Sequence, residues 1–163
     1  MELIEVILSK ENLNRAYKKV VSNKGASGVD GGIVEELGDY IRENKDEIVT
    51  SIRNRTYMPK PVRRVYIPKD NGKQRPLGIP TALDRTIQQA IAQPISDIYE
   101  EIFSEYSYGF RPGRSCHDAV RQALYYLNDG YEWVVDIDIE QFFDRVNPVS
   151  YTHLRAHETC ADL

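Results

Sequence analysis

Residues 133–144 read Trp-Val-Val-Asp-Ile-Asp-Ile-Glu-Gln-Phe-Phe-Asp. A run this rich in β-branched and aromatic residues has few folding options, because such side chains crowd a helix and fit a pleated surface. Successive side chains in a strand point to opposite faces, so Val135, Ile137 and Ile139 share one face and Val134, Asp136 and Asp138 the other. The pattern predicts a strand that packs on one side and presents carboxylates on the other. Carboxylates at the end of a strand suit a hard divalent ion such as Mg²⁺, which takes one or two of them together with substrate phosphates.

Upstream, the charge distribution matters more than the total. The net charge of the 163-residue chain is −4, which by itself argues against a polyanion partner. Between Arg53 and Arg75, however, lie Arg53, Arg55, Lys60, Arg63, Arg64, Lys69, Lys73 and Arg75 against one acid, Asp70, eight positive charges less one, or +7. Such a block is an electrostatic footprint for phosphates, or else a solvated face. Val62–Ile67 and Gln74–Ile79 read as the two strands of a hairpin turned at Asn71-Gly72. Pro76 and Pro80 confine the return strand to an edge, so the cations belong to a protruding ribbon.

The remaining segments read as helices. Leu13, Ala16, Tyr17, Val20 and Val21 have helical spacing over 10–22, with Gly25 as the stop. Two short helices are expected over 33–43, with Val34, Leu37, Tyr40 and Ile41 inward, and over 45–54, with Ile48 and Ile52 inward. The Gly-rich stretch 23–32 lacks phosphate-loop spacing and reads as a connector. Thr81 and Asp84 have capping-box spacing ahead of a helix striped by Ile87, Ile91, Ile95 and Ile98, which Pro94 should kink or divide. After a loop with Tyr106, Tyr108, Phe110, Arg111 and Arg114, Ser115 and Asp118 repeat the capping spacing. Val120, Ala123, Leu124 and Leu127 form the expected buried stripe, closed by Gly130.

Each signal is common alone, but their order is not. Arg63–Lys69 followed by Arg75–Pro80, Asp84–Ala90, Tyr108–Ser115 with His117-Asp118-Ala119, and Val135–Asp144 together resemble the group II intron-encoded reverse transcriptases and maturases. Residues 10–38, including Lys24–Gly31, resemble the N-terminal extension of that lineage. The resemblance implies an α+β fold: mostly helical fingers with a basic β-hairpin, plus the first strand of a truncated polymerase palm. It divides the chain into an N-terminal extension (1–40), fingers (41–130), the start of the palm (131–148) and a tail outside the family pattern (149–163).

It also implies roles. Asp138 is the expected catalytic, metal-binding aspartate, with Ile139 beside it offering backbone contact to metal and triphosphate. Phe143, five residues on, would lie against the sugar and exclude a 2′-hydroxyl, as a rigid apolar ring does by leaving the hydroxyl unpaired. Asp136 would only support. Lys69 and Arg75 would clamp the triphosphate, Lys as a point charge and Arg through its planar fork. Leu77 and Ile79 would pack on the templating base, and Gln88, Arg111 and Arg114 would contact the template. The implied reaction is RNA-directed DNA synthesis by two-metal nucleotidyl transfer with Mg²⁺, and the implied partners are an RNA template, a DNA primer, dNTP and group II intron RNA. The family's further acids come from a Tyr-x-Asp-Asp segment that this sequence does not contain, so the fragment is expected to be inactive by itself. A non-catalytic intron-RNA-binding module and a retron-like reverse transcriptase fragment are the alternatives.

The family pattern fades after Asn147. Residues 149–163 lack a palm-like stripe and read as a translated adapter. His153, His157 and Cys160 have ligand-like spacing but no fourth ligand, and read as chance. Cys116 and Cys160 form no close pair, no apolar run approaches a membrane span and no signal peptide is evident, so a cytoplasmic protein with reduced thiols is expected.

Overall fold

The computed structural model describes residues 2–32, 36–68 and 72–139. Contacts divide the chain into two units, one ending at Ser107 and the other beginning at Tyr108. The first contains α1 (Leu3–Ile7), α2 (Lys10–Ser22), α3 (Leu37–Arg53), the antiparallel strands β1 (Arg63–Pro68) and β2 (Gln74–Ile79), and α4 (Ala82–Glu100); the second contains α5 (Cys116–Asn128). The mixture of helices with one small sheet is the expected α+β class.

The core of the first unit lies where α2 crosses α4. Ile7, Leu8, Ala16 and Ala90 form one buried cluster, flanked by Leu13, Val49 and Ile52. Val20, Leu37 and Ala82 form a second, flanked by Tyr17, Val21, Ile41 and Leu83. The stripe read along α2 is therefore the one buried. Small residues, Ala16 and Ala90, let the helices approach closely. The stop of α2 differs from expectation: Lys24, not Gly25, takes the left-handed position, with φ 44°, after Asn23 caps the helix.

Three further expectations are corrected within this unit. The two short helices are a single helix, α3, because Asn44 turns its amide back onto the Tyr40 carbonyl (2.9 Å) instead of breaking the chain. Tyr40 is exposed rather than inward, and Val34 lies outside the described residues. On α4 the buried positions are Ala82, Asp84, Thr86, Ala90 and Pro94, whereas Ile91 and Ile98 of the expected stripe are exposed. Close packing on α2 favours the small face of α4 over the isoleucine face.

Pro94 neither divides nor ends α4. Without an N–H it leaves the Ala90 carbonyl, four residues back, lacking its helical donor. The buried Asn12 side chain supplies one: its Nδ2 donates to Ala90 O (2.7 Å) and to Ile7 O (2.9 Å). Its Oδ1 accepts from Gln93 Nε2 (2.7 Å) and Arg15 (3.2 Å). One carboxamide thus joins α1, α2 and α4 and satisfies the carbonyl exposed by the proline. This polar hub sits one residue outside the apolar stripe that periodicity reveals.

The Gly-rich stretch is also more than a connector. A side chain at Gly28 would bring its Cβ to 2.7 Å from Thr81 Cα and 2.8 Å from Thr81 N, so only glycine lets this loop lie against the start of α4. Arg85 reaches back to donate to Ala26 O (2.9 Å).

In the second unit Ser115 and Asp118 form the complete capping box foreseen for α5, and Gly130 closes the helix with φ +97°. The expected buried stripe is not buried: Val120, Leu124 and Leu127 are all exposed, and α5 has no buried residue. Residues 131–139 belong to no helix or strand. A strand exists only through a neighbour's N–H and C=O groups, and the described residues form one sheet, β1–β2. Among the described residues the expected palm strand is therefore not formed over 131–139, where Trp133 is 94% and Ile137 84% exposed, and the rest of that segment lies outside the described residues.

Candidate nucleic-acid interface

The hairpin is the most clearly shaped candidate site. Its register pairs Arg63 with Ile79, Arg64 with Gly78, Val65 with Leu77, Tyr66 with Pro76, Ile67 with Arg75 and Pro68 with Gln74. Directly opposed residues share a face and alternate ones do not. One face is thus Arg63, Val65, Ile67, Arg75, Leu77 and Ile79; the other is Arg64, Tyr66, Pro68, Gln74, Pro76 and Gly78. Pro68 and Pro76 fall in pairs of the same parity. A proline keeps its place in a ladder where its missing N–H would point outward, so each strand carries a proline on its outer edge, which blunts further pairing.

The first face brings together three residues predicted from sequence: Arg75, Leu77 and Ile79. It adds three that were not singled out as site residues, Arg63, Val65 and Ile67. Their signal was the alternation on either side of the turn, which becomes a shared face only once the register is known. Val65, Ile67 and Leu77 are 36%, 44% and 41% exposed, so this is an open apolar strip with a guanidinium at diagonally opposite ends.

The basic block is used unevenly. Arg53 is engaged by Glu5 (2.7 Å) and Lys60 by Asp30 (3.9 Å). Arg63, Arg64 and Arg75 make no ion pair among the described residues. Arg53 and Lys60 contribute to the fold, and Arg63, Arg64 and Arg75 keep their charge available. Lys69 lies outside the described residues.

The root of the ribbon is held by Asp84, 3% exposed in the first turn of α4. Its Oδ1 accepts from the Tyr57 hydroxyl (2.6 Å), and its Oδ2 from the Lys60 backbone N–H (3.2 Å) and the Thr81 hydroxyl (2.6 Å). Thr81 in turn caps α4 by accepting from Asp84 N (3.2 Å). The foreseen capping pair is present, but its carboxylate is turned toward the strap that enters the hairpin. Burial, with the carboxylate beside it, pushes the Tyr57 hydroxyl well above the usual tyrosine range.

Of the other predicted residues, Gln88 is exposed on α4. Arg111 and Arg114 are half-buried in the second unit, where the Arg114 guanidinium lies 5.5 Å from the centre of the Tyr108 ring. That distance is within cation–π range. Neighbouring Phe110 is fully exposed and held at φ 58°, a conformation rare for a bulky side chain. Asp138 and Ile139 are exposed in the unpaired 131–139 segment, and Phe143 lies outside the described residues. Among the described residues no three His, Cys, Asp or Glu side chains gather as a metal would require. Asp138 is thus one carboxylate, and the described residues do not complete a metal site. No described helix is long and apolar enough to cross a membrane.

An exposed ribbon with uncommitted arginines around an apolar strip, braced on a small helical base, is a candidate surface for a phosphate-bearing partner. Residues 67–160 match the family model for reverse transcriptase (RNA-dependent DNA polymerase), and the chain belongs to that family. It is 44% identical over 137 residues to the group II intron-encoded protein LtrA of Lactococcus lactis subsp. cremoris, a match covering 83% of this chain and 22% of that protein. It is 40% identical over 155 residues to protein YkfC of Escherichia coli K12, covering 89% of this chain and 40% of that one. A third relative, nuclear intron maturase 1 of Arabidopsis thaliana, is 28% identical over 114 residues, covering 69% of this chain and 14% of the relative. The chain therefore spans between about a fifth and two fifths of the two bacterial relatives.

Proposed function

We propose that this chain supplies the fingers of a group II intron-type reverse transcriptase, an RNA-directed DNA polymerase. Its hairpin face receives the incoming dNTP and the templating base of an RNA template paired with a DNA primer. The carrying observation is the shared face of Arg63, Val65, Ile67, Arg75, Leu77 and Ile79. Guanidinium groups there pair with phosphate through their planar forks, and the apolar strip between them covers a base and excludes water. Gln88, Arg111 and Arg114 are the proposed contacts to the template backbone. Asp138 is the proposed contribution to a Mg²⁺ site that would activate the primer's 3′-hydroxyl, with Ile139 beside it. Phe143 is the proposed sugar discriminator. Among the described residues no cluster of acids completes a two-metal site around Asp138, and the 163-residue chain is proposed to bind its substrates without extending a primer.

The test is binding of an RNA–DNA template–primer duplex together with the incoming dNTP over a salt series. The expected result is an affinity that falls linearly in log–log form with salt and whose slope decreases when Arg63 and Arg75 are replaced by alanine. Binding that ignores salt, or a slope untouched by those replacements, would refute the reading. The relatives' names, an intron-encoded protein and an intron maturase, favour intron RNA as a further partner, and a folded intron RNA in the same series tests that.

A further inference from the structure

We propose that Asp84 is a positioning residue that latches both roots of the hairpin and so sets the aim of its binding face. The proposal rests on the functional reading above. The three donors to this carboxylate come from the two chain segments that enter and leave the ribbon: Tyr57 and Lys60 before β1, and Thr81 two residues after β2 ends. The two strands pair with one another, but a two-stranded ribbon has no third strand to fix its direction. Its orientation must come from where its ends are tied.

The chemistry of the latch is unusual for a purely local cap. A Thr or Ser suffices to cap a helix, and Thr81 already does so here. Burying a carboxylate as well is costly unless it is fully hydrogen-bonded. Asp84 has no cation partner among the described residues. It is held by three donors and by the positive end of α4. The ion pair between Lys60 and Asp30 (3.9 Å) ties the same strap to the Gly-rich loop. Loosening the carboxylate therefore frees both strand roots together, while the α2–α4 core, organised by Asn12 and Ala90 on the far side of α4's first two turns, keeps its own bonds.

The experiment compares Asp84→Asn and the milder Tyr57→Phe with the wild-type chain by residue-resolved amide exchange and by duplex binding. The expected result is exchange at least tenfold faster in β1 and β2, with amides of α2 and the middle of α4 unchanged within twofold. Affinity for the RNA–DNA duplex should fall severalfold with the salt slope unchanged, because the same phosphates are contacted less often. Arg63→Ala should do the converse, lowering the slope without changing exchange. Acceleration spread evenly over hairpin and helices would overturn the proposal, since Asp84 would then serve global stability alone. So would a loosened hairpin that binds as tightly as the wild type. A wild-type chain that binds no duplex would instead refute the functional reading, and the exchange comparison would still decide the latch. Tyr57→Phe, which removes one donor and no charge, serves where Asp84→Asn does not fold.

Discussion

Asn12→Ala is the most informative substitution, because it tests whether a side chain on one helix completes the hydrogen bonding of another. The amide is 5% exposed. Truncation removes the donor to Ala90 O and to Ile7 O, and the acceptor for Gln93. A buried polar group left unsatisfied costs about 1–3 kcal/mol. Two carbonyls are affected, and water entering the gap relieves part of the loss, so the expected destabilisation is about 3 kcal/mol. Urea denaturation followed by far-UV circular dichroism measures it. Pro94→Ala supplies the N–H that Ala90 O lacks, so Asn12→Ala should cost about 1–2 kcal/mol less in that background. Additivity of the two changes within about 0.5 kcal/mol would refute the reasoning. Asn12→Asp, which points an acceptor at two acceptors, should be worse than alanine at neutral pH. Stability equal to the wild type would refute the donor role of the amide.

Gly28→Ala drives a Cβ to 2.7 Å from the Thr81 backbone and should destabilise by about 1–3 kcal/mol in the same urea titration, as overpacking does. The Ser115 hydroxyl and backbone N–H, helped by Arg121, hold the Asp118 carboxyl below its usual range. A lowered pKa contributes stability above the unfolded value that is lost as pH falls through the folded one, so α5 should lose helicity on acidification, and Ser115→Ala should move that loss to higher pH. Tyr57 is raised, so its contribution is complete below the ordinary tyrosine value of about 10 and is lost as pH rises through the folded value. An ultraviolet titration should show its ionisation delayed to strongly alkaline pH, and Tyr57→Phe should remove that late step.

Much of this molecule was legible in local pattern. The α2 stripe, the pairing of β1 with β2, and the caps at Thr81 and Ser115 all depend on interactions within a few residues, which spacing encodes directly. The failures share a cause as well. Periodicity marked Ile91 and Ile98 as inward, yet α4 turns its small residues to α2, because what a face packs against depends on the partner's shape. Tyr40 and the α5 stripe were misplaced for the same reason. The run at 133–139 has strand composition, but composition supplies no neighbour.

The candidate site divides along the same line. Residue type and order alone determined that a cationic, proline-edged ribbon stands ahead of a capped helix, because charge, turn chemistry and φ restriction are properties of the residues themselves. Only the tertiary structure decided which cations remain available, since Arg53 and Lys60 are engaged by acids far away in the chain. It also decided that register places Arg63 and Arg75 at the ends of one apolar strip. Finally, it decided that Asn12 answers for Pro94 across a separation of 82 positions, through Ala90, 78 positions away. Hydrogen bonds and ion pairs between segments distant in sequence are satisfied only when the chain has closed on itself, and no local pattern can announce them.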